Sequence, residues 1–319
     1  MEHNKTENAP KGLIVDLITP ITDGGDLDTK GLESLLERVL PYSSGVLLAG
    51  PNMGEGRHIS QDLKTELLEK VARFINGEVP IFFWISEQDL DSTKELLANF
   101  ESILTALGYK GPLFWLDSPL YYHSNRGLFD HYLNLIKISS HPLALYNDTS
   151  LIKSLNISLK RNNIRTNIIR DLGKIDLIKA LIHKGPISRV HNYQKNLARR
   201  TDFRVYDGDE SSFLEYPSLS GLLSAGANIA PKIWHSVTMT SLGLLKEGRD
   251  QPDYLNKILE TSYMLKELIA IYRQNPVYTI KKTLADLSII ETHACASVVE
   301  FDKEKDNYLK EFLSRNNLE

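Results

Sequence analysis

Four short stretches carry residue types that acid–base or carbonyl chemistry needs: Tyr121-Tyr122, Tyr146-Asn147, Arg170-Asp171 and Asp207-Gly208-Asp209. Arg170 lies in NIIRDLG (167–173), which reads as the end of a buried strand followed by a glycine turn. A cation beside an acid at a strand mouth can be a structural ion pair. Adjacent strand residues face opposite sides, however, which argues in part against that pairing. An inward guanidinium would instead bind a carboxylate or phosphate through paired donors, unless Glu55 or Asp209 neutralises it. It is no nucleophile, because arginine keeps its proton up to about pH 12 whereas burial can lower a lysine by several units. Asp207 and Asp209 read as a solvated turn rather than a cation site. The nine histidines show no metal-ligand spacing, and His58, His123 and His141 read as surface residues. Walker, G-x-S-x-G and G-x-G-x-x-G patterns are absent.

The elements that must position these residues alternate. Short apolar runs at 12–21, 44–50, 79–86, 111–119, 142–148, 164–171, 202–209 and 221–231 read as strands. Stretches of helical period at 27–40, 60–77, 91–109, 126–140, 150–163 and 174–185 separate the first seven. Ser60, Asp91 and Ser150 are plausible helix caps. Strands that read as near-continuous apolar runs are covered on both faces. Eight β-then-α units predict an α/β fold, a (β/α)8 TIM barrel, over 12–244, with an open doubly wound sheet as the alternative. Residues 1–11 read as a flexible lead-in and 245–319 as a C-terminal helical extension. In such barrels the chemistry lies at the C-terminal ends of the strands.

The totals narrow the function class. With 42% hydrophobic and 24% charged residues the chain is globular, and its formal charge of −4 without a basic run argues against nucleic acid as a partner. No apolar run approaches the roughly 18 residues of a membrane span, and the N-terminus lacks the apolar core of a signal peptide. A single cysteine, Cys295, excludes an intrachain disulfide and fits a reducing, cytoplasmic setting.

The strand ends, in order, resemble the dihydrodipicolinate synthase / N-acetylneuraminate lyase family of pyruvate-dependent aldolases, from about residue 11 to about residue 290. GLIVDLITPITDGGDLD is similar to the family's opening strand. LLAGPNMGEGRHIS resembles its Gly-Ser/Thr-Thr-Gly-Glu loop, and SPLYYHSNRGLFDHY its Pro-Tyr-Tyr segment. LALYND, NIIRDLG, VYDGDE and AGANIAP resemble the later motifs. The resemblance implies an imine-forming lysine, a proton-shuttling tyrosine at Tyr146, and a relay tyrosine at Tyr121 or Tyr122. It implies a carboxylate-binding loop at Asn52, Met53, Gly54 and Glu55, with Gly208 and Asp209 also near substrate. It also implies a 2-oxo acid or another small anion as ligand, no cofactor, no metal, and a homotetramer or homodimer. On this match Arg170 falls on the lysine position, Met53 and Asn52 replace hydroxyls, and Pro51 removes an N–H. The loop after Tyr146, NDTSLIK, lacks the arginine that binds a distal carboxylate in the synthase branch. The expectation is therefore a family protein without standard Schiff-base activity. The alternatives are Lys174, or less readily Lys160, reaching in as nucleophile, or an inactive relative that binds a small anion, senses or assembles.

Overall fold

The computed structural model describes residues 8–156, 161–217, 219–244, 254–297 and 311–316. Eight parallel strands follow one another around a closed barrel in chain order. They are β1 (Gly12–Asp16), β2 (Gly45–Leu48), β3 (Ile81–Trp84), β4 (Leu113–Asp117), β5 (Leu143–Asp148), β6 (Ile178–Lys184), β7 (Arg204–Asp207) and β8 (Gly221–Ser224). The helices are α1 (Thr29–Val39), α2 (Gln61–Ile75), α3 (Leu90–Leu107), α4 (Pro119–Tyr122), α5 (Leu128–Leu135), α6 (Thr149–Ser154), α7 (Thr166–Leu172), α8 (Ile187–Leu197), α9 (Glu210–Glu215), α10 (Pro231–Ser241), α11 (Tyr254–Tyr272) and α12 (Pro276–Asp286). Strand residues are buried on both faces, as the continuous apolar runs predict.

One compact unit runs through residues 1–11, 68–209 and 219–221. Within it the two faces of the sheet separate cleanly. Phe82 stacks on Phe114 with ring centroids 4.9 Å apart and meets Tyr206 edge-on, four strands away, which marks these side chains as barrel interior. Their neighbours Phe83 and Trp115 instead pack on Phe100 of α3, in the helix layer. This alternation sets the direction of every later strand residue. The lead-in joins this unit: Ala9 is buried and the Tyr206 hydroxyl donates to the Pro10 carbonyl. Residues 1–7 of that expected flexible segment lie outside the described residues.

The second unit combines 12–67, 210–218 and 222–319. Here β1 pairs with β2, and the Asp28 side chain caps α1 by accepting from Gly31 N at 2.8 Å. Ser60 caps α2, accepting from Leu63 N at 3.1 Å. The other two expected caps are displaced. Asp89, not Asp91, caps α3, and Asp148, not Ser150, caps α6.

The largest correction concerns 164–185. The stretch expected as the sixth strand is helix α7, with Ile169 and Leu172 buried three residues apart, a helical spacing. The expected helix at 174–185 holds β6, buried without interruption from Ile178 to His183. Two helices, α6 and α7, therefore precede β6, which shifted the β/α count by one element.

Candidate active site

The site grows from two adjacent strands, β5 and β6. Their register sets Tyr146 opposite Ile182, Asn147 opposite His183 and Asp148 opposite Lys184. Asn147 Nδ2 donates to Tyr193 Oη at 3.2 Å, and the His183 ring lies edge-on to Tyr193 of α8, 5.3 Å between centroids. Asn147 and His183 therefore point into the helix layer. By alternation Tyr146, Asp148, Ile182 and Lys184 face the other way, into the barrel. Lys184 is the last residue of β6, half-buried, and makes no hydrogen bond or ion pair among the described residues. On β5 the Tyr146 hydroxyl donates to Asp148 Oδ2 at 3.4 Å.

Arg170, expected inward at a strand end, is instead on the outer surface of α7. Its side chain is 58% exposed, with Asp171 3.9 Å away. Lys174 is 66% exposed and donates to Asp171 at 2.7 Å, so it does not reach inward either. Lys160 lies outside the described residues. The inward lysine that the sequence reading did not single out is Lys184. Its signal is LIKALIHKGP: a mostly apolar run interrupted by Lys179 and His183, a Lys-Gly-Pro turn, and then the amphipathic helix ISRVHNYQKNL.

The two candidate relay tyrosines separate. Tyr121 packs edge-on against Trp84, whose position two residues beyond Phe82 puts it on the interior face. Tyr122 turns to the helix layer. Its hydroxyl donates to Asp117 at 3.1 Å and sits 2.9 Å from His131 Nε2. Asp117 also accepts from Ser86 Oγ and Tyr132 Oη, both at 2.6 Å. Burial first, and then the Asp117 charge, hold the Tyr122 phenol well above its ordinary pKa. It stays a fixed donor, and of the two tyrosines Tyr121 is the one packed on the interior-facing Trp84.

At the end of β7, Gly208 N donates to the His183 carbonyl at 2.8 Å, which lays Gly208 beside Lys184. Asp207 Oδ1 accepts from Asp209 N at 2.8 Å and closes the turn.

In the second unit the loop 50–56 is shaped by glycine. A β-carbon on Gly54 would lie 2.4 Å from Gly50 N. The Gly54 carbonyl accepts from Thr19 Oγ1 at 2.8 Å. Met53 is buried and Asn52 half-buried. Glu55, expected at the substrate, is buried with a left-handed φ of 51° and is ion-paired with the equally buried Lys281. Its other oxygen accepts from Ala296 N at 2.7 Å. That carboxylate holds the loop to the segment after α12 and neutralises neither Arg170 nor a substrate. Asn228 works similarly, donating to the Asp16 carbonyl at 2.8 Å and accepting from Ile18 N at 3.2 Å.

His141, expected at the surface, is buried against Glu101, with Nδ1 3.1 Å from Oε2. Burial pushes the Glu101 carboxyl up, but His141, Trp115 and the Ser140 amide outweigh it and bring it down to about 2. Among the described residues no group of three His, Cys, Asp or Glu can hold a metal ion, and no helix is long and apolar enough to cross a membrane.

The closed parallel barrel, which carries a lysine and a tyrosine on the inner ends of adjacent strands, has the fold used by the lyase and aldolase class. A family model described as the Dihydrodipicolinate synthetase family matches residues 9–316, and the chain belongs to that family. The 4-hydroxy-tetrahydrodipicolinate synthase of Thiobacillus denitrificans is 26% identical over 251 residues, covering 77% of this chain and 79% of that protein. That of Shewanella pealeana is 27% identical over 226 residues, covering 69% and 71%. A solved monomeric dihydrodipicolinate synthase variant superposes with a TM-score of 0.81 at 17% identity over 98% of both chains. YagE, a family protein from an E. coli K12 prophage solved in complex with pyruvate, gives 0.78 at 16% identity over 97% of this chain and 99% of its own. The structural likenesses carry the fold.

Proposed function

We propose that this protein is a Schiff-base lyase of a 2-oxo acid, with Lys184 as the imine-forming amine and Tyr146 as the proton carrier. The observation that carries the reading is Lys184 itself, without a partner among the described residues, at the inner end of β6 beside the strand of Tyr146. The amine adds to the ketone carbon, and the ketone oxygen leaves as water. The imine then draws electrons from the adjacent carbon, which loses a proton and becomes the enamine nucleophile. That carbon bonds to an aldehyde carbon, the aldehyde oxygen takes up a proton, and water frees the lysine. Tyr146 accepts and returns protons beside the imine, and Tyr121 lies on the same interior face. Pyruvate is the reference 2-oxo acid, supported by the YagE complex. A cytoplasmic setting and a homodimer or homotetramer complete the reading.

A second reading, an inactive small-anion binder, draws on Asn52 and Met53 standing where the family loop has hydroxyls. Borohydride reduction in the presence of pyruvate separates the two. The expected result is one pyruvyl adduct by intact mass, mapping to the peptide of Lys184 and absent in Lys184→Met. A well-folded wild type that traps no adduct, or an adduct on another lysine, rejects the Lys184 assignment.

A further inference from the structure

Resting on Lys184 as the amine, we propose that Ser118 is a further substrate-binding residue, its hydroxyl donating to the carboxylate of the 2-oxo acid, and that Trp84 positions it. The stagger of the barrel places these residues. Strand pairings run from Trp84 through Leu116, Ala144 and Ala180 to Arg204. Yet Phe82, two residues before Trp84, meets Tyr206, two residues after Arg204. That is an offset of four residues over the four steps from β3 to β7, or one residue per strand, the kind of stagger that closes a barrel. It sets Tyr146 and Gly208 level with Trp84. It also sets Ser118, just after β4, level with Lys184, one residue higher. Such barrels fill their interior in layers drawn from alternate strands. Trp84, Tyr146 and Gly208 thus share one layer, and Ser118 and Lys184 stand on the next, on either side of the strand of Tyr146.

The indole fixes the serine. Both residues are buried, and Trp84 Nε1 donates to Ser118 Oγ at 3.0 Å, which puts the serine side chain on the interior side. The Ser118 backbone N donates to Ser86 Oγ at 2.6 Å, so main chain and side chain are both held. A hydroxyl has one proton and two lone pairs. With one lone pair taken by the indole, the proton points away from Trp84, and no acceptor among the described residues takes it. A buried donor left without an acceptor is costly. The carboxylate of a 2-oxo acid held through its C2 on Lys184 supplies the acceptor. It is bonded to the carbon that the amine holds, and unlike the ketone oxygen it stays throughout the reaction. A bond that only packed Trp84 against β4 would leave the affinity for pyruvate untouched.

The test follows the rate of borohydride-trapped adduct formation against pyruvate concentration. Ser118→Ala should raise the half-saturating concentration about tenfold with little change in the limiting rate, because a carboxylate contact held throughout adds uniform binding. Ser118→Thr, which keeps the hydroxyl, should stay within about threefold of wild type. Trp84→Phe, which keeps a ring without the N–H, should weaken pyruvate about threefold and add nothing in the Ser118→Ala background. An unchanged half-saturation in Ser118→Ala, or a threonine variant no better than alanine, overturns the proposal. Independent, additive effects of the two substitutions overturn the positioning role of Trp84. If wild type traps no adduct on Lys184, the Schiff-base reading fails separately. Thermal shift with pyruvate then reads the carboxylate contact without an imine. Ser118→Ala should lose most of the wild-type response, and equal responses in both proteins, including none, overturn the role of Ser118.

Discussion

Gly208 approaches Lys184 so closely that a β-carbon built on it would stand 3.0 Å from the Lys184 β-carbon. The same atom would lie 3.2 Å from the His183 carbonyl oxygen, so crowding comes from the strand as well as the side chain. The open side of Gly208 is what leaves the lysine stem its course. Gly208→Ala is expected to fold with a near-normal melting temperature and to form the borohydride-trapped adduct roughly tenfold more slowly, because small displacements of a reacting group are costly. Single-turnover trapping rates at saturating pyruvate check this, and an unchanged rate removes Gly208 from the site.

Arg170 and Lys174 give the contrasting expectation. Both side chains are well exposed on or just after α7. Arg170→Ala and Lys174→Ala should change stability by no more than about 0.5 kcal/mol, as surface substitutions do. Neither should alter adduct yield, and Arg170→Lys should create no second adduct. Loss of trapping in either alanine variant would return the chemistry to the α7 region.

His183 should make stability fall in mild acid. Burial lowers its pKa from 6.5 to about 4. Above pH 6.5 the ring is neutral in both folded and unfolded chains, and its contribution is fully present. As pH falls, the unfolded chain takes the proton first. Stability is then lost between pH 6.5 and about 4, up to about 3 kcal/mol in total. Urea unfolding across this window should show a steeper loss in wild type than in His183→Gln. Parallel curves would contradict the assigned burial effect.

The Glu55–Lys281 pair is buried on both sides. Lys281→Met leaves the carboxylate without its cation and should cost about 3–5 kcal/mol. The double variant Glu55→Leu, Lys281→Met should recover part of that loss, because no lone charge then remains inside. Denaturant unfolding of the two singles and the double completes the cycle. Additive losses would mean that the two residues do not act as a pair.

Much of the barrel was legible because parallel strands announce themselves as unbroken apolar runs, and seven of the eight segments contain the observed strands. The failure came where the rhythm changed. NIIRDLG has two isoleucines and a glycine, the marks of a strand end, yet Ile169 and Leu172 face one side of a single helical turn. LIKALIHK breaks its apolar run with Lys179 and Lys184, which stand near opposite ends of β6. Lys179 is tied to Asp202 at 2.9 Å, which the local pattern does not reveal. Tyr146 stands at an inner strand end, as expected, because its strand was read correctly. Glu55 was identified by motif but misjudged in role, since its partner Lys281 lies far along the chain. The choice between Tyr121 and Tyr122 needed the Asp117 pocket, formed by side chains from β4, α4 and α5 and the residue Ser86.

That distance along the chain has a kinetic consequence. Glu55 and Lys281 are 226 residues apart, and the unit they share joins the first strands to the last helices. During synthesis the 50–56 loop leaves the ribosome long before Lys281 exists to receive its carboxylate. Contacts of such wide sequence separation form slowly, since the intervening chain must first be ordered. A chain interrupted before α12 would expose Glu55 with no counterion, and the segment that shapes the loop would be missing. The 50–56 loop therefore cannot take its ion-paired form until α12 has been made.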